Sequence, residues 1–153
     1  MHKSISRILG AAAILATVMV VNSAWADGFS VASLHGFYAV DFGGHDLSVS
    51  PSVPLNGGGV IFIDGNGNFK GNQSYNDNGT VCNGTVAGTY KVGPNGNGSA
   101  TATFSPATGS ACSGSTGNVN LVVSDPNNVR FFSTDSAEVV SGGWHRQSGG
   151  DRF

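Results

Sequence analysis

Apolar residues in this chain recur at every second position, in short runs separated by glycine- and asparagine-rich punctuation. Beyond residue 26 no stretch holds the three-to-four spacing of an amphipathic helix. From Cys82 to Val92 the even positions carry Cys82, Gly84, Val86, Gly88, Tyr90 and Val92, against Asn83, Thr85, Thr89 and Lys91 between them. Ala100, Ala102 and Phe104 alternate in the same way with Ser99, Thr101 and Thr103. Successive side chains on a strand point to opposite faces, so each run acquires one apolar and one polar face. Eight strands are predicted on this pattern, at 34–42, 58–64, 68–76, 80–92, 98–105, 117–124, 128–133 and 137–147.

The connections are mostly short and rich in Gly, Asn, Pro and Asp, which tolerate or preset turn geometry. Parallel neighbours would need crossovers of a dozen or more residues, usually helical, so the expected sheet is an antiparallel meander. With no helix to cover a face, such a sheet hides its apolar side by closing into a small β-barrel or by folding into a β-sandwich. Closure is the preferred reading because it removes exposed edges. Glycines inside strands, including Gly71, Gly84, Gly88 and Gly142, suit the bending that a small barrel requires. The longer connections, 43–57 and 106–116, are expected to cap an end. Although 24 of the 153 residues are glycine, the recurring aliphatic and aromatic residues separate this chain from disordered low-complexity sequence.

One hairpin resembles a metal loop. Asp64-Gly65-Asn66-Gly67-Asn68 sets oxygen-bearing side chains at alternate positions, as a calcium loop does. An EF-hand loop counted from Asp64 would need Gly at its sixth position and Glu at its twelfth. Those positions hold Phe69 and Tyr75. A weak repeat points the same way. Residues 59–68 align with residues 88–97, Asn-Gly-Asn against Asn-Gly-Asn, and Gly93 stands where the first copy has Asp64. A looser third copy runs through 121–128. The retained Asn-Gly core is turn chemistry, so a hairpin is expected there and no metal site.

Residues 1–26 read as a signal peptide. Lys3 and Arg7 precede the apolar run 8–21, and Ala24-Trp25-Ala26 offers a small-x-small site for cleavage between Ala26 and Asp27. The run is about 14 residues, shorter than the roughly 20 of a membrane span. Residues 27–153 are then a single domain, expected in the bacterial periplasm or outside the cell and free of a membrane span. This segment holds five Lys or Arg, each isolated, against nine Asp or Glu. Such a balance offers no electrostatic footprint for nucleic acid. Cys82 and Cys112 are the only cysteines, and in an oxidising compartment they read as a disulfide. The triplets starting at Asn72, Asn78, Asn83 and Asn97 match a glycosylation pattern, a match that this composition produces by itself.

The ordered pieces Leu34-His35-Gly36-Phe37-Tyr38, Gly59 with Asp64 to Gly71, Gly88-Thr89-Tyr90-Lys91-Val92, and Gly142 with Arg146-Gln147 resemble an uncharacterised family of small exported bacterial β-barrel proteins. The resemblance spans most of 34–147 and rests on turn and packing motifs. It implies an architecture similar to the eight-stranded barrels of the allene oxide cyclase and lipocalin types. It implies no reaction.

No GxSxG, HExxH, phosphate-loop or dinucleotide motif is present, and no cofactor is expected. The residues available for acid–base chemistry are His35, Asp41 and His145, with His45, Asp46 and Glu138 as further candidates. In a closed meander the first and last strands are neighbours, which would bring His35 and His145 together with Asp41 to orient one of them. His45-Asp46 is a poor start for a metal site, because adjacent strand residues face opposite ways. A ligand pocket would draw its walls from Phe37, Tyr38, Phe62, Phe69, Tyr75, Tyr90, Phe104, Phe131 and Trp144. The leading expectation is a soluble binding module for a small apolar ligand or an envelope partner. The alternatives are a cyclase- or isomerase-type enzyme and a structural protein of the envelope or matrix.

Overall fold

A computed structural model describes residues 28–149. The predicted signal peptide and its cleavage site at Ala26/Asp27 lie outside the described residues. Eight antiparallel strands form a closed barrel in sequence order: β1 (His35–Asp46), β2 (Val53–Asp64), β3 (Asn68–Asp77), β4 (Thr80–Val92), β5 (Asn97–Pro106), β6 (Ser115–Asp125), β7 (Asn128–Ser133) and β8 (Glu138–Arg146). β1 closes the ring on β8, in a register running from Tyr38 opposite Arg146 to Asp46 opposite Glu138. The sandwich alternative is thereby excluded.

The first two strands are longer than their alternation suggests. Most of 43–57, expected as a connection, is strand, and only residues 47–52 link β1 to β2. Glycines 43, 44 and 57–59 weaken the alternation there. Close approach explains some of them, since a side chain on Gly44 would meet the Val139 carbonyl of β8. The connection 106–116 does form a loop, at 107–114.

The two ends of the barrel differ. One end carries the tight turns at 65–67, 93–96 and 126–127 and is plugged by the N-terminal segment, which makes a 3-10 turn at Val31–Ser33. Leu34, Tyr38, Ile63, Leu121 and Val129 are fully buried in this plug. The Tyr90 hydroxyl donates to the carbonyls of Val31 and Leu34 at 2.7 and 3.0 Å, and the Tyr38 hydroxyl donates to the Pro126 carbonyl at 2.6 Å. Burial pushes the Tyr90 hydroxyl up to about 12, so it remains a donor across the physiological range.

All three turns of this end use an Asx side chain to collect backbone N–H groups. Asp64 Oδ1 accepts from Asn66 and Asn68, Asn95 Oδ1 from Asn97, and Asp125 Oδ1 from Asn127. The Asp64 carboxylate is further bonded by the Asn68 side chain, which is the main reason its pKa is lowered. The calcium-like segment is a hairpin turn that occupies its own oxygens. Among the described residues no three His, Cys, Asp or Glu side chains converge as a metal set.

The other end carries the connections 47–52, 78–79, 107–114 and 134–137. Asn78 and Gly79, with φ of 48° and 91°, make the two-residue turn that Asn-Gly favours in a hairpin. Cys82 on β4 is bonded to Cys112, with Cα atoms 5.8 Å apart, and this ties the 107–114 loop to the barrel rim. The outer wall is laced by polar cross-strand pairs such as Thr101 with Asn118 at 2.9 Å and Thr103 with Thr116 at 3.0 Å. Among the described residues no helix is long and apolar enough to cross a membrane.

Candidate ligand cavity

An eight-stranded barrel is just wide enough for its interior side chains to fill it or to leave room for one small ligand, so the size of the inward residues decides. Here many inward positions carry almost nothing. Gly88 on β4, Ala102 on β5 and Gly117 on β6 lie side by side in register, a row of small residues across three strands of the wall. Beside it Phe69 stands directly opposite Gly88.

The tips of phenylalanine rings lie over inward glycines. A Cβ placed on Gly57, Gly88 or Gly142 would come within 2.6 Å of the Cζ of Phe42, Phe69 or Phe131 respectively, each the cross-strand partner of its glycine. Phe104 covers Gly84 diagonally, at 2.8 Å from the same construction. Aromatic rings thus shield bare backbone along the wall and leave the axis open. The result is a cavity of about 950 Å3, near the upper end of the range for small-molecule sites.

Its floor is aromatic. Trp144 packs between Phe69 and Phe131, with ring centroids 5.5 and 6.2 Å away, and these three close the cavity above the buried plug. Val40, Leu55, Ile61, Val86 and Val140 form the apolar sides, and Tyr75 meets Phe104 edge-on at 5.0 Å nearer the mouth. Part of the rim is the 111–116 segment, anchored by the disulfide.

The mouth is acidic. Asp46, Asp77, Asp135 and Glu138 line it together with Ser48, Thr80 and Ser136. Asp135 is held in place by Asn118, whose backbone N–H donates to Oδ2 at 2.6 Å and whose side-chain amide donates to Oδ1 at 3.1 Å. These bonds lower its pKa, and the Ser48 contacts lower that of Asp46. Glu138 is shifted the other way. Burial is the main cause, opposed by a hydrogen bond from Ser133 and reinforced by the charges of Asp135 and Asp46. Glu138 Oε1 and Asp135 Oδ2 lie 3.5 and 3.7 Å from the point a Cβ on Gly117 would occupy, so the two carboxyl groups converge over that glycine.

Of the aromatic residues read from the sequence as pocket walls, Phe69, Tyr75, Phe104, Phe131 and Trp144 line the cavity. Tyr38 and Tyr90 point inward but are consumed by the plug. Phe37 and Phe62 are on the outer wall, where they pair at 5.2 Å between centroids. Strand parity is the reason, because the inward set is even on β1 and odd on β2. Phe42 was missed as a wall residue, since it was read as the last residue of its strand. The acids of the mouth also escaped prediction as a group, their elements being far apart in the chain.

His35, His45 and His145 occupy the outside of the wall. His145 Nε2 lies 3.1 Å from Asp41 Oδ1, and its Nδ1 lies 3.3 Å from Asn128 Oδ1, with the His145 and Asp41 side chains well exposed. His35 contacts Arg146 at 3.3 Å. His145 stands opposite Ala39, four residues along β1 from His35, or about 13 Å at the usual rise per residue. The expected orienting contact of Asp41 exists, but the two histidines have separate partners and neither lines the cavity. His45 and Asp46 face opposite ways, Asp46 inward.

Comparison of the chain with protein-family models, with curated proteins and with solved structures found no match. The functional reading therefore rests on the geometry of the barrel.

Proposed function

We propose that this protein is an exported binding module that holds a small, largely apolar ligand inside its barrel. The observation that carries this reading is the cavity of about 950 Å3, with its floor of Trp144, Phe69 and Phe131 and a mouth at the end that carries the longer loops. Burying a ligand there removes apolar surface on both sides, at roughly 25 cal/mol per Å2 of area taken from water. The predicted leader at 1–26 and the Cys82–Cys112 bridge support an oxidising compartment as its place of work. A cyclase- or isomerase-type activity draws no support from the histidines, which stand on the opposite side of the wall.

The test is saturable binding of the neutral fluorophore N-phenyl-1-naphthylamine to the purified mature protein, followed by its emission. One site per chain is expected, together with loss of at least about tenfold in affinity in Ala102→Phe. That substitution projects a ring from the row of small residues into open space, so its thermal stability should stay close to that of the parent. A non-saturable signal, or a folded Ala102→Phe that binds equally well, would defeat the reading.

A further inference from the structure

The cavity described above has a polarity of charge that narrows its ligand. Asp46, Asp77, Asp135 and Glu138 all border it, whereas none of the described residues lining it is Lys, Arg or His. These four acids come from the ends of β1 and β3, the connection after β7 and the start of β8, so Asp46, Asp135 and Glu138 cluster on one side of the mouth and Asp77 stands two strands away from them on β3. The described Lys and Arg residues lie elsewhere. Lys91, Arg130 and Arg146 are on β4, β7 and β8 near the plugged end, and Lys70 is exposed on the outer face of β3. His45, adjacent to Asp46, faces outward.

We propose that the barrel is selective for cationic amphiphiles, meaning amines whose ammonium group stays among the mouth carboxylates while an alkyl or aryl body lies against Trp144, Phe69 and Phe131. The inference rests on the cavity being a ligand site and adds the class of ligand.

Four carboxyl groups at the opening give it a negative potential, which concentrates cations and repels anions. Asp46 and Asp135, whose pKa values are lowered by hydrogen bonds, are ionised at neutral pH and provide fixed charge. Glu138, destabilised as an anion by burial and by those two neighbours, is the group with most to gain from an arriving cation. The serine and threonine hydroxyls of the rim can accept the remaining ammonium protons. Tyr75 and Phe104, just inside, present ring surface to a cation on its way in. Below them the described lining holds no acid or base and is apolar apart from Gln73, so the body of the ligand is largely apolar. Glu138 and Trp144 are six residues apart on β8, about 20 Å along the strand, which separates head from tail. A fatty acid of the same length would bring a carboxylate to these carboxylates and leave it without a counter-charge.

Displacement of bound N-phenyl-1-naphthylamine by dodecylamine, dodecanol and dodecanoate at one ionic strength and neutral pH tests the assignment. Dodecylamine is expected to displace the probe at a concentration at least about tenfold lower than dodecanoate, with dodecanol between them. In the double variant Asp77→Asn with Glu138→Gln, the ratio of amine to alcohol potency should fall by about threefold or more, and raising the salt concentration should erode it in the parent. Displacement by dodecanol with no preference for the amine would overturn the charge assignment and leave the apolar cavity standing. So would an amine preference that survives both the double variant and high salt, since it would originate elsewhere. Failure of the fluorophore to bind at all would overturn both readings together.

Discussion

Gly88→Ala is a one-carbon change whose sign depends on the ring lying over that position. On an ordinary strand, replacing Gly by Ala restricts the unfolded chain and is worth about 0.4–1 kcal/mol of stability. At Gly88 the new Cβ would lie 2.5 Å from Phe69 Cζ and 2.9 Å from Cε1, and closer still to the Thr101 carbonyl of β5. Phe69 is only 5% exposed and is braced by Trp144, so its ring can retreat only toward the cavity axis. The carbonyl belongs to the sheet and cannot swing aside. Overpacking of this kind costs about 1–3 kcal/mol, which outweighs the entropic gain. A net loss of about 1.3 kcal/mol should lower Tm by roughly 5 °C in a domain of this size. Thermal unfolding followed by circular dichroism measures it, with Gly43→Ala as the reference, because nothing lies within 4 Å of a Cβ at Gly43. Displacing Phe69 inward should also weaken fluorophore binding. A Gly88→Ala protein as stable as the Gly43→Ala protein would refute the account of rings packed over bare backbone, and with it the explanation of why the barrel is hollow.

Three further outcomes follow from particular contacts. Tyr90→Phe removes the donor shared by the carbonyls of Val31 and Leu34 and should cost about 1–3 kcal/mol, with faster amide exchange in residues 29–34; unchanged exchange would show that the plug is held by apolar packing alone. Replacing Cys82 and Cys112 together by serine opens a 30-residue separation and should cost roughly 3–4 kcal/mol by urea unfolding, and a loss near zero would mean that the 107–114 loop is ordered without its bridge. Glu138 titrates with a raised pKa in the fold, so its ionisation weakens the protein as pH rises through that value, while below its ordinary value of 4.5 it has no effect. Glu138→Gln should therefore raise Tm at pH 8 and not at pH 4, and a lower Tm at pH 8 would contradict the crowding of acids at the mouth. The lowered carboxyls of Asp46 and Asp135 act oppositely, contributing stability above their usual range that is lost as pH falls through their folded values.

Alternation along each run identified the strands, and their short punctuation identified the meander, because both depend only on residues close in sequence. The strands 68–76, 80–92, 98–105 and 128–133 match the observed ones to within a residue or two. The Asn-Gly turns were legible for the same reason, their geometry being local to four or five residues. The extension of β1 and β2 was not, because runs of glycine show no alternation, and the reason for Gly44 is a carbonyl on β8.

Alternation separates two faces without saying which one is inside. Phe37 and Tyr38 are neighbours of similar size, and only closure of the ring buried Tyr38 and left Phe37 to pair with Phe62 outside. Whether the barrel is filled was also beyond local reading. It depends on register, which set Gly88, Ala102 and Gly117 abreast and placed phenylalanines opposite glycines. The acidic mouth is likewise a product of topology, since Asp46 and Glu138 are 92 residues apart in the chain and become partners only when β8 closes on β1. The sequence by itself determined an all-β chain with its turns and its one cysteine pair, because periodicity and turn chemistry are short-range. The tertiary structure decided the cavity, its aromatic floor and its acidic mouth, because those are sums over residues that only the closed sheet brings together.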